Sequence, residues 1–126
     1  MRAIDTNVLL RLVVRDDPRQ AATADAYVAK GAWVSQLVLA EATWVLSAVY
    51  GLDDSRIAAV VEGLLQHESL SIQEPEVISG ALERFRGKSA PEFADCLMLE
   101  IARKAGHVPL GTFDRRLGRL PGAERL

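Results

Sequence analysis

Two periodicities of apolar residues alternate along the chain. Short apolar runs bounded by turn residues indicate buried strands, whereas longer segments with apolar residues three or four positions apart indicate helices. The predicted strands cover residues 2–4, 32–34, 70–72, 108–113 and 123–126.

The segments between these strands have helical spacing, and most of them carry a start or stop signal. Asp17 before Pro18 and Ser35 before a long apolar run are N-cap signals, whereas Gly51 and Gly106 are stop signals. The predicted helices cover residues 8–14, 19–30, 36–50, 56–67, 75–85 and 93–105. Strands that alternate with helices in this way predict an α/β fold, a three-layer α/β/α arrangement with a mostly parallel central sheet.

Length and composition are those of an ordinary globular domain. With 126 residues, 49% of them hydrophobic and 25% charged, the chain is expected to form one domain, residues 1–126. Its single cysteine, Cys96, excludes an internal disulfide. No apolar stretch reaches the roughly 18 residues of a membrane span, and no signal peptide is recognisable, so we expect a cytoplasmic protein. The net charge of −2 means that any contact with nucleic acid needs a local basic patch or a metal ion.

Four carboxylates end or interrupt the apolar segments. Asp5 and Asp114 follow predicted strands, while Glu41 and Asp95 lie among apolar residues in predicted helices. Glu41 shares a helical face with apolar residues four positions before and after it, so we expect its side chain to be buried. A buried carboxylate must be protonated, ion-paired or bound to a metal.

Each of these acids also has a simpler explanation. Asp5 and Asp114 could be N-caps, Asp95 could stabilise the first turn of its helix, and Glu41 could pair with an arginine. Glu100, about 140° around the helix from Asp95, is expected to face solvent. Taken together, however, four acids drawn to one edge of a sheet would repel, so some pKa values must rise or a cation must bind.

Oxygen ligands without histidine or cysteine select a hard divalent cation. Mg²⁺ or Mn²⁺ is therefore favoured over zinc. Such an ion polarises a phosphoryl oxygen, lowers the pKa of a bound water and stabilises the leaving oxygen. The four acids thus predict a metal-dependent site that hydrolyses phosphodiester bonds.

The motifs around these acids resemble those of PIN-domain ribonucleases. They are Asp5-Thr6-Asn7, Glu41 in its apolar helix, Phe93-Ala94-Asp95-Cys96-Leu97 and Thr112-Phe113-Asp114. Their order and the chain length are similar to those of VapC-type toxins of bacterial toxin–antitoxin pairs. The resemblance covers nearly the whole chain.

The resemblance implies roles for seven residues and for several partners. The catalytic, metal-binding acids would be Asp5, Glu41, Asp95 and Asp114. The supporting polar groups would be Asn7, Thr112 and, as a weaker candidate, Thr6. It further implies an Mg²⁺-dependent endoribonuclease that cuts RNA, forms a homodimer and is inhibited by a cognate antitoxin protein.

Two basic runs are candidates for contact with RNA phosphates. Arg115, Arg116 and Arg119 lie beside the last acid, and a second run covers residues 84–88 before the Asp95 helix. Charge runs are more often solvated surface, and this simpler explanation applies to both.

Three other functions compete with a nuclease. A haloacid-dehalogenase-type phosphatase also has an aspartate after its first strand, but it needs a second one two positions later, where this chain has Asn7. A phosphoacceptor receiver domain needs an acidic pair after the first strand and an aspartate that ends a middle strand, and the chain has neither. A catalytically inactive PIN-like module that binds RNA or protein is the third, and the four intact acids argue against it.

Overall fold

The computed structural model describes residues 1–126, and contacts between them define two compact units, Met1–Pro75 and Glu76–Leu126. In the first unit, strands and helices follow one another in the order β1 (Arg2–Ala3), α1 (Thr6–Val14), α2 (Pro18–Val28), β2 (Ala32–Val34), α3 (Gln36–Ala48), α4 (Asp54–Leu65) and β3 (Leu70–Ile72). The three strands form a parallel sheet in the order β1-β2-β3, with Ala32 of the central strand paired to Arg2 on one side and Leu70 on the other.

The second unit combines two long helices with a smaller sheet. Its elements are α5 (Pro75–Phe85), which begins at the unit boundary, α6 (Phe93–Ala105), β4 (Leu110–Thr112), a 3₁₀ turn (Leu117–Arg119) and β5 (Ala123–Arg125). Strands β4 and β5 pair in parallel, with Leu110 opposite Ala123. The rings of Phe85 and Phe93 meet edge to face, 5.7 Å between centroids, which joins the end of α5 to the start of α6.

The predicted fold class is confirmed, because the chain is a mixture of helices and strands in which every strand pairing is parallel. All five strands and six helices occur where apolar spacing predicted them, within a few residues. The fourth strand is shorter than predicted and ends at Thr112, which leaves Phe113 outside it.

Local capping explains where most helices begin. The side chains of Asp17, Ser35 and Asp53 accept hydrogen bonds from backbone N–H groups three residues later, at 2.9–3.1 Å. Gly106 ends α6 in the left-handed conformation, with φ of 85°. None of the helices is both long and apolar enough to span a bilayer.

Candidate active site

Asp5 lies where the sequence predicted, between the first strand and the first helix. The preceding residue, Ile4, is buried and extends the sheet, because its N–H donates to the Trp33 carbonyl oxygen at 3.1 Å. The Asp5 side chain is exposed, and one carboxylate oxygen accepts from the Val8 N–H at 3.0 Å. Asp5 is therefore an N-cap of α1, and its other oxygen has no partner of this kind.

The expected burial of Glu41 is wrong. Helix α3 buries Leu39, Ala42, Thr43 and Leu46, and this face does not include Glu41, which is exposed. Two of the apolar residues beside it at helical spacing are exposed as well, Leu37 by 73% and Trp44 by 55%. An almost uniformly apolar helix gives no signal of which face is buried. Since Glu41 is solvated, its carboxylate can remain ionised without a counter-charge.

Asp95 and Asp114 are the two predicted acids that the second unit brings into electrostatic contact. Asp95 is half-buried in the first turn of α6. Burial raises the pKa of its carboxyl, and the negative charges of Asp114 and Glu92 raise this pKa further. Within this unit, neither Asp95 nor Asp114 forms an ion pair with an arginine or lysine. The two carboxylates therefore repel each other and have no ion-pair partner in their unit.

The turn after β4 fixes the position of Asp114. Its N–H donates to the Thr112 hydroxyl at 3.0 Å, and one of its carboxylate oxygens accepts from the Leu117 N–H at 2.7 Å. Thr112 therefore supports the backbone of Asp114, and Asp114 caps the 3₁₀ turn. The second carboxylate oxygen of Asp114 makes no such bond.

Arg116 ties this turn to the segment that precedes Asp95. Its guanidinium donates to the carbonyl oxygen of Ala90, three residues before α6 begins. Arg115 and Arg119 are exposed. Of the three arginines predicted to contact RNA, Arg116 thus already has an intramolecular partner, whereas Arg115 and Arg119 have their side chains in solvent.

The expectation that Glu100 faces solvent is wrong. Glu100 is only 3% exposed, and both of its oxygens are held by arginines. Arg84 from α5 donates to one oxygen, and Arg103 donates to the other at 2.9 Å. Burial opposes ionisation, but the hydrogen bonds from Arg103 and Arg84 outweigh it and lower the pKa of Glu100. The one feature of the sequence that points to this cluster is Arg103, which lies three residues after Glu100 in the same helix.

The predicted acids fit a hard divalent cation in their chemistry. The donors are carboxylate oxygens, the ligands that Mg²⁺ and Mn²⁺ prefer. Burial and the charges of Asp114 and Glu92 raise the pKa of Asp95, and a bound cation would oppose this effect. Asp5 and Glu41 lie in the first unit and Asp95 and Asp114 in the second, and neither unit groups three or more potential metal ligands.

The chain matches the model of a known protein family. The model of the PIN domain matches residues 3–123. The chain belongs to the PIN-domain family. PIN domains are generally nucleases and commonly depend on divalent metals. No curated protein and no solved structure gives a significant match to this PIN-domain chain.

Proposed function

We propose that this PIN-domain chain is an endoribonuclease that hydrolyses phosphodiester bonds in RNA with Mg²⁺ or Mn²⁺. The observation that carries the proposal is the half-buried Asp95, whose pKa is raised by burial and by Asp114 and which has no cationic partner in its unit. A carboxylate in that setting is stabilised by a divalent ion. The family match across residues 3–123 includes both units and supports one nuclease domain, residues 1–126.

The residues of the proposed site would have three different roles. Ligands for the metal are Asp5, Glu41, Asp95 and Asp114. Supporting groups are Asn7, Thr6 and Thr112, of which Thr112 orients the backbone of Asp114. Arg115 and Arg119 are exposed cations that suit RNA phosphates. When bound, the metal would polarise the phosphoryl group and generate a nucleophilic hydroxide from water.

The biological role that we propose is that of a cytoplasmic toxin, a homodimer held in check by an antitoxin protein. Exposed apolar side chains on α3, which share its solvent face with Glu41, support an association of this kind. Leu37 and Trp44 project from α3 into solvent, and Val49 follows at its end with 68% of its surface exposed. Exposed apolar side chains grouped in this way are typical of protein interfaces. Light scattering on the isolated chain tests the dimer.

The decisive experiment is a cleavage assay on a mixed RNA substrate with Mg²⁺, with EDTA, and with the variant Asp5→Asn. Asparagine keeps the N-cap of α1 but removes the charge, so the fold should persist while metal-dependent cleavage is lost. Asp53→Asn is the matched control, because Asp53 caps α4 in the same way. Cleavage by Asp5→Asn at the parent rate would contradict the site. RNA binding without cleavage by the parent would indicate an inactive binding module.

A further inference from the structure

The first unit contains a cleft next to Asp5 that has no role in the function proposed so far. It lies at the end of β1 between helices α1 and α2, and we call it the α1–α2 cleft. Its volume is about 660 Å³, which is within the range of small-ligand sites and sufficient for a nucleotide. It is lined by residues of β1, α1 and α2 and by Ile4 and Asp5, which connect β1 to α1.

The position of the cleft relates it to the metal ligands. Asp5 and Asn7 form part of its wall, and Asp5 is one of the proposed ligands. An RNA strand with its scissile phosphate at the metal would therefore carry a neighbouring nucleotide to the mouth of this cleft.

The polar groups of the cleft are suited to reading the edge of a base. The side-chain amides of Asn7 and Gln20 are exposed and make no hydrogen bond within the chain. An amide offers a donor and an acceptor side by side, which is the arrangement that pairs with a base edge in two hydrogen bonds. The hydroxyl of Thr23 donates to the Arg19 carbonyl oxygen at 3.1 Å, so its oxygen remains available as an acceptor.

The aromatic wall of the cleft is held in place. The guanidinium of Arg2 lies 3.8 Å from the centre of the Tyr27 ring and also donates to the Tyr27 carbonyl oxygen at 3.2 Å. An aromatic ring fixed in this way is a ready stacking surface, and single-stranded RNA is recognised by such stacking. Ile4 and Val8 add apolar surface to the same cleft.

The charges of the cleft favour a polyanion over a protein segment. Arg19 is exposed and has no ion pair in the unit. Arg11 is paired with Asp16 at 2.8 Å. An unpaired guanidinium such as that of Arg19 can donate to base carbonyls or phosphate oxygens, whereas an apolar helix would desolvate it at a loss.

We propose that the α1–α2 cleft binds a nucleobase next to the scissile phosphate of single-stranded RNA and so determines which base the enzyme prefers there. This inference rests on the nuclease function proposed above. Gln20 is the specificity-determining residue, and Tyr27 is the stacking platform.

The experiment compares four RNA oligonucleotides that differ only in the base beside the mapped cut site. The value of kcat/KM for each base is measured for the parent, Gln20→Ala, Tyr27→Leu and the control Gln66→Ala, an exposed glutamine at the end of α4 and outside the cleft. For Gln20→Ala we expect the ratio between the best and worst base to fall by about tenfold, the contribution of one bidentate base contact. Gln66→Ala should keep the parent ratio. Thermal unfolding of each variant confirms that it is folded.

The outcomes separate the two proposals. If the parent cuts RNA and both cleft variants keep its base ratios, the cleft is not a base site, although the nuclease function stands. If those variants also bind an antitoxin more weakly, the cleft is a protein-docking groove. If the parent does not cut RNA, its binding of the same oligonucleotides is measured by fluorescence anisotropy in EDTA. Binding that Gln20→Ala weakens for one base only would then uphold the cleft and refute the nuclease, and a complete absence of binding would refute both.

Discussion

Helix α6 carries two acids five positions apart whose surroundings are opposite. Asp95, in the first turn, is half-buried and meets only negative charges in its unit, so its pKa is raised. Glu100 is almost fully buried but is held by Arg84 and Arg103, so its pKa is lowered. Glu100, the more deeply buried acid, is thus the one whose ionised form is better stabilised.

The difference shows that burial alone does not identify a metal ligand. A buried carboxylate that finds cations within its own chain has a structural role, whereas one that finds none must be protonated or obtain its cation from solution. By this criterion Glu100 belongs to the framework, and Asp95 is a candidate for the proposed metal site. Arg84 also donates to the Pro121 carbonyl oxygen at 3.1 Å, so the Glu100 cluster joins both long helices of the second unit to its C-terminal segment.

The largest effect should follow from removing the charge of Asp95. Asp95→Asn is expected to reduce kcat/KM for RNA cleavage by about a thousandfold, equal to about 4 kcal/mol of transition-state stabilisation, because a metal ligand is lost. Steady-state cleavage in saturating Mg²⁺ measures this. Glu83→Gln, an exposed acid on α5, is the control and should cut at the parent rate. If Asp95→Asn cut RNA at the parent rate, Asp95 would have no catalytic role to distinguish it from Glu100.

The next largest effect concerns the framework acid. Glu100→Ala should lower the free energy of unfolding by about 3 kcal/mol at neutral pH, because Arg84 and Arg103 lose their buried partner. The folded-state pKa of Glu100 is lowered, so its contribution is present above the unfolded-state pKa and is lost as the pH falls through the folded-state value. Urea unfolding of variant and parent should therefore converge in acid. A difference that is independent of pH would contradict the ion-pair explanation.

A smaller effect is expected at Gly80, which makes room for the Glu100 carboxylate. A Cβ at this position would lie 2.7 Å from one Glu100 oxygen, so Gly80→Ala should destabilise by about 1–2 kcal/mol despite the higher helix propensity of alanine. Gly63→Ala in α4, where a Cβ would meet nothing, should instead stabilise by about 0.5–1 kcal/mol. Chemical denaturation measures both. If Gly80→Ala destabilised the Glu100→Ala variant as much as it destabilised the parent, the Glu100 carboxylate would not be the obstacle.

The smallest effect is the stability change at Asp95 without metal. Because the folded-state pKa of Asp95 is raised, the folded chain binds this proton more tightly than the unfolded chain, and stability falls as the pH rises from the unfolded-state to the folded-state pKa. Asp95→Asn should lack this decline and be slightly more stable than the parent at neutral pH. The helix dipole, which favours an anion in the first turn, keeps the gain small. In calorimetry, Mg²⁺ should raise the Tm of the parent and leave the variant unchanged.

The sequence predicted local structure better than it predicted burial. Strands, helices and caps such as Asp17 and Ser35 follow from the spacing of apolar residues and from short-range hydrogen bonds, and these are confirmed. The environments of Glu41 and Glu100 were both misjudged, because each depends on which face of a helix is covered by distant segments. A run as uniformly apolar as that around Glu41 cannot reveal its covered face, and the partner of Glu100 on α5 is sixteen residues away.

The candidate site shows the same division. Asp5, Thr112 and Asp114 could be placed from sequence because they lie at or just after the ends of strands and make hydrogen bonds within three residues. The mutual repulsion of Asp95 and Asp114, and the link from Arg116 to Ala90, join residues 19 and 26 positions apart. Interactions of that range emerge only when the chain has folded.

The capping role of Asp5, combined with its proposed role as a metal ligand, has an evolutionary consequence. An amide can replace the carboxylate as the cap but lacks the negative charge that holds a divalent cation. Exchanging a single oxygen for nitrogen would therefore silence such an enzyme while its scaffold, surfaces and associations survive. Descendants of this kind would be folded decoys, able to occupy a partner without performing any chemistry.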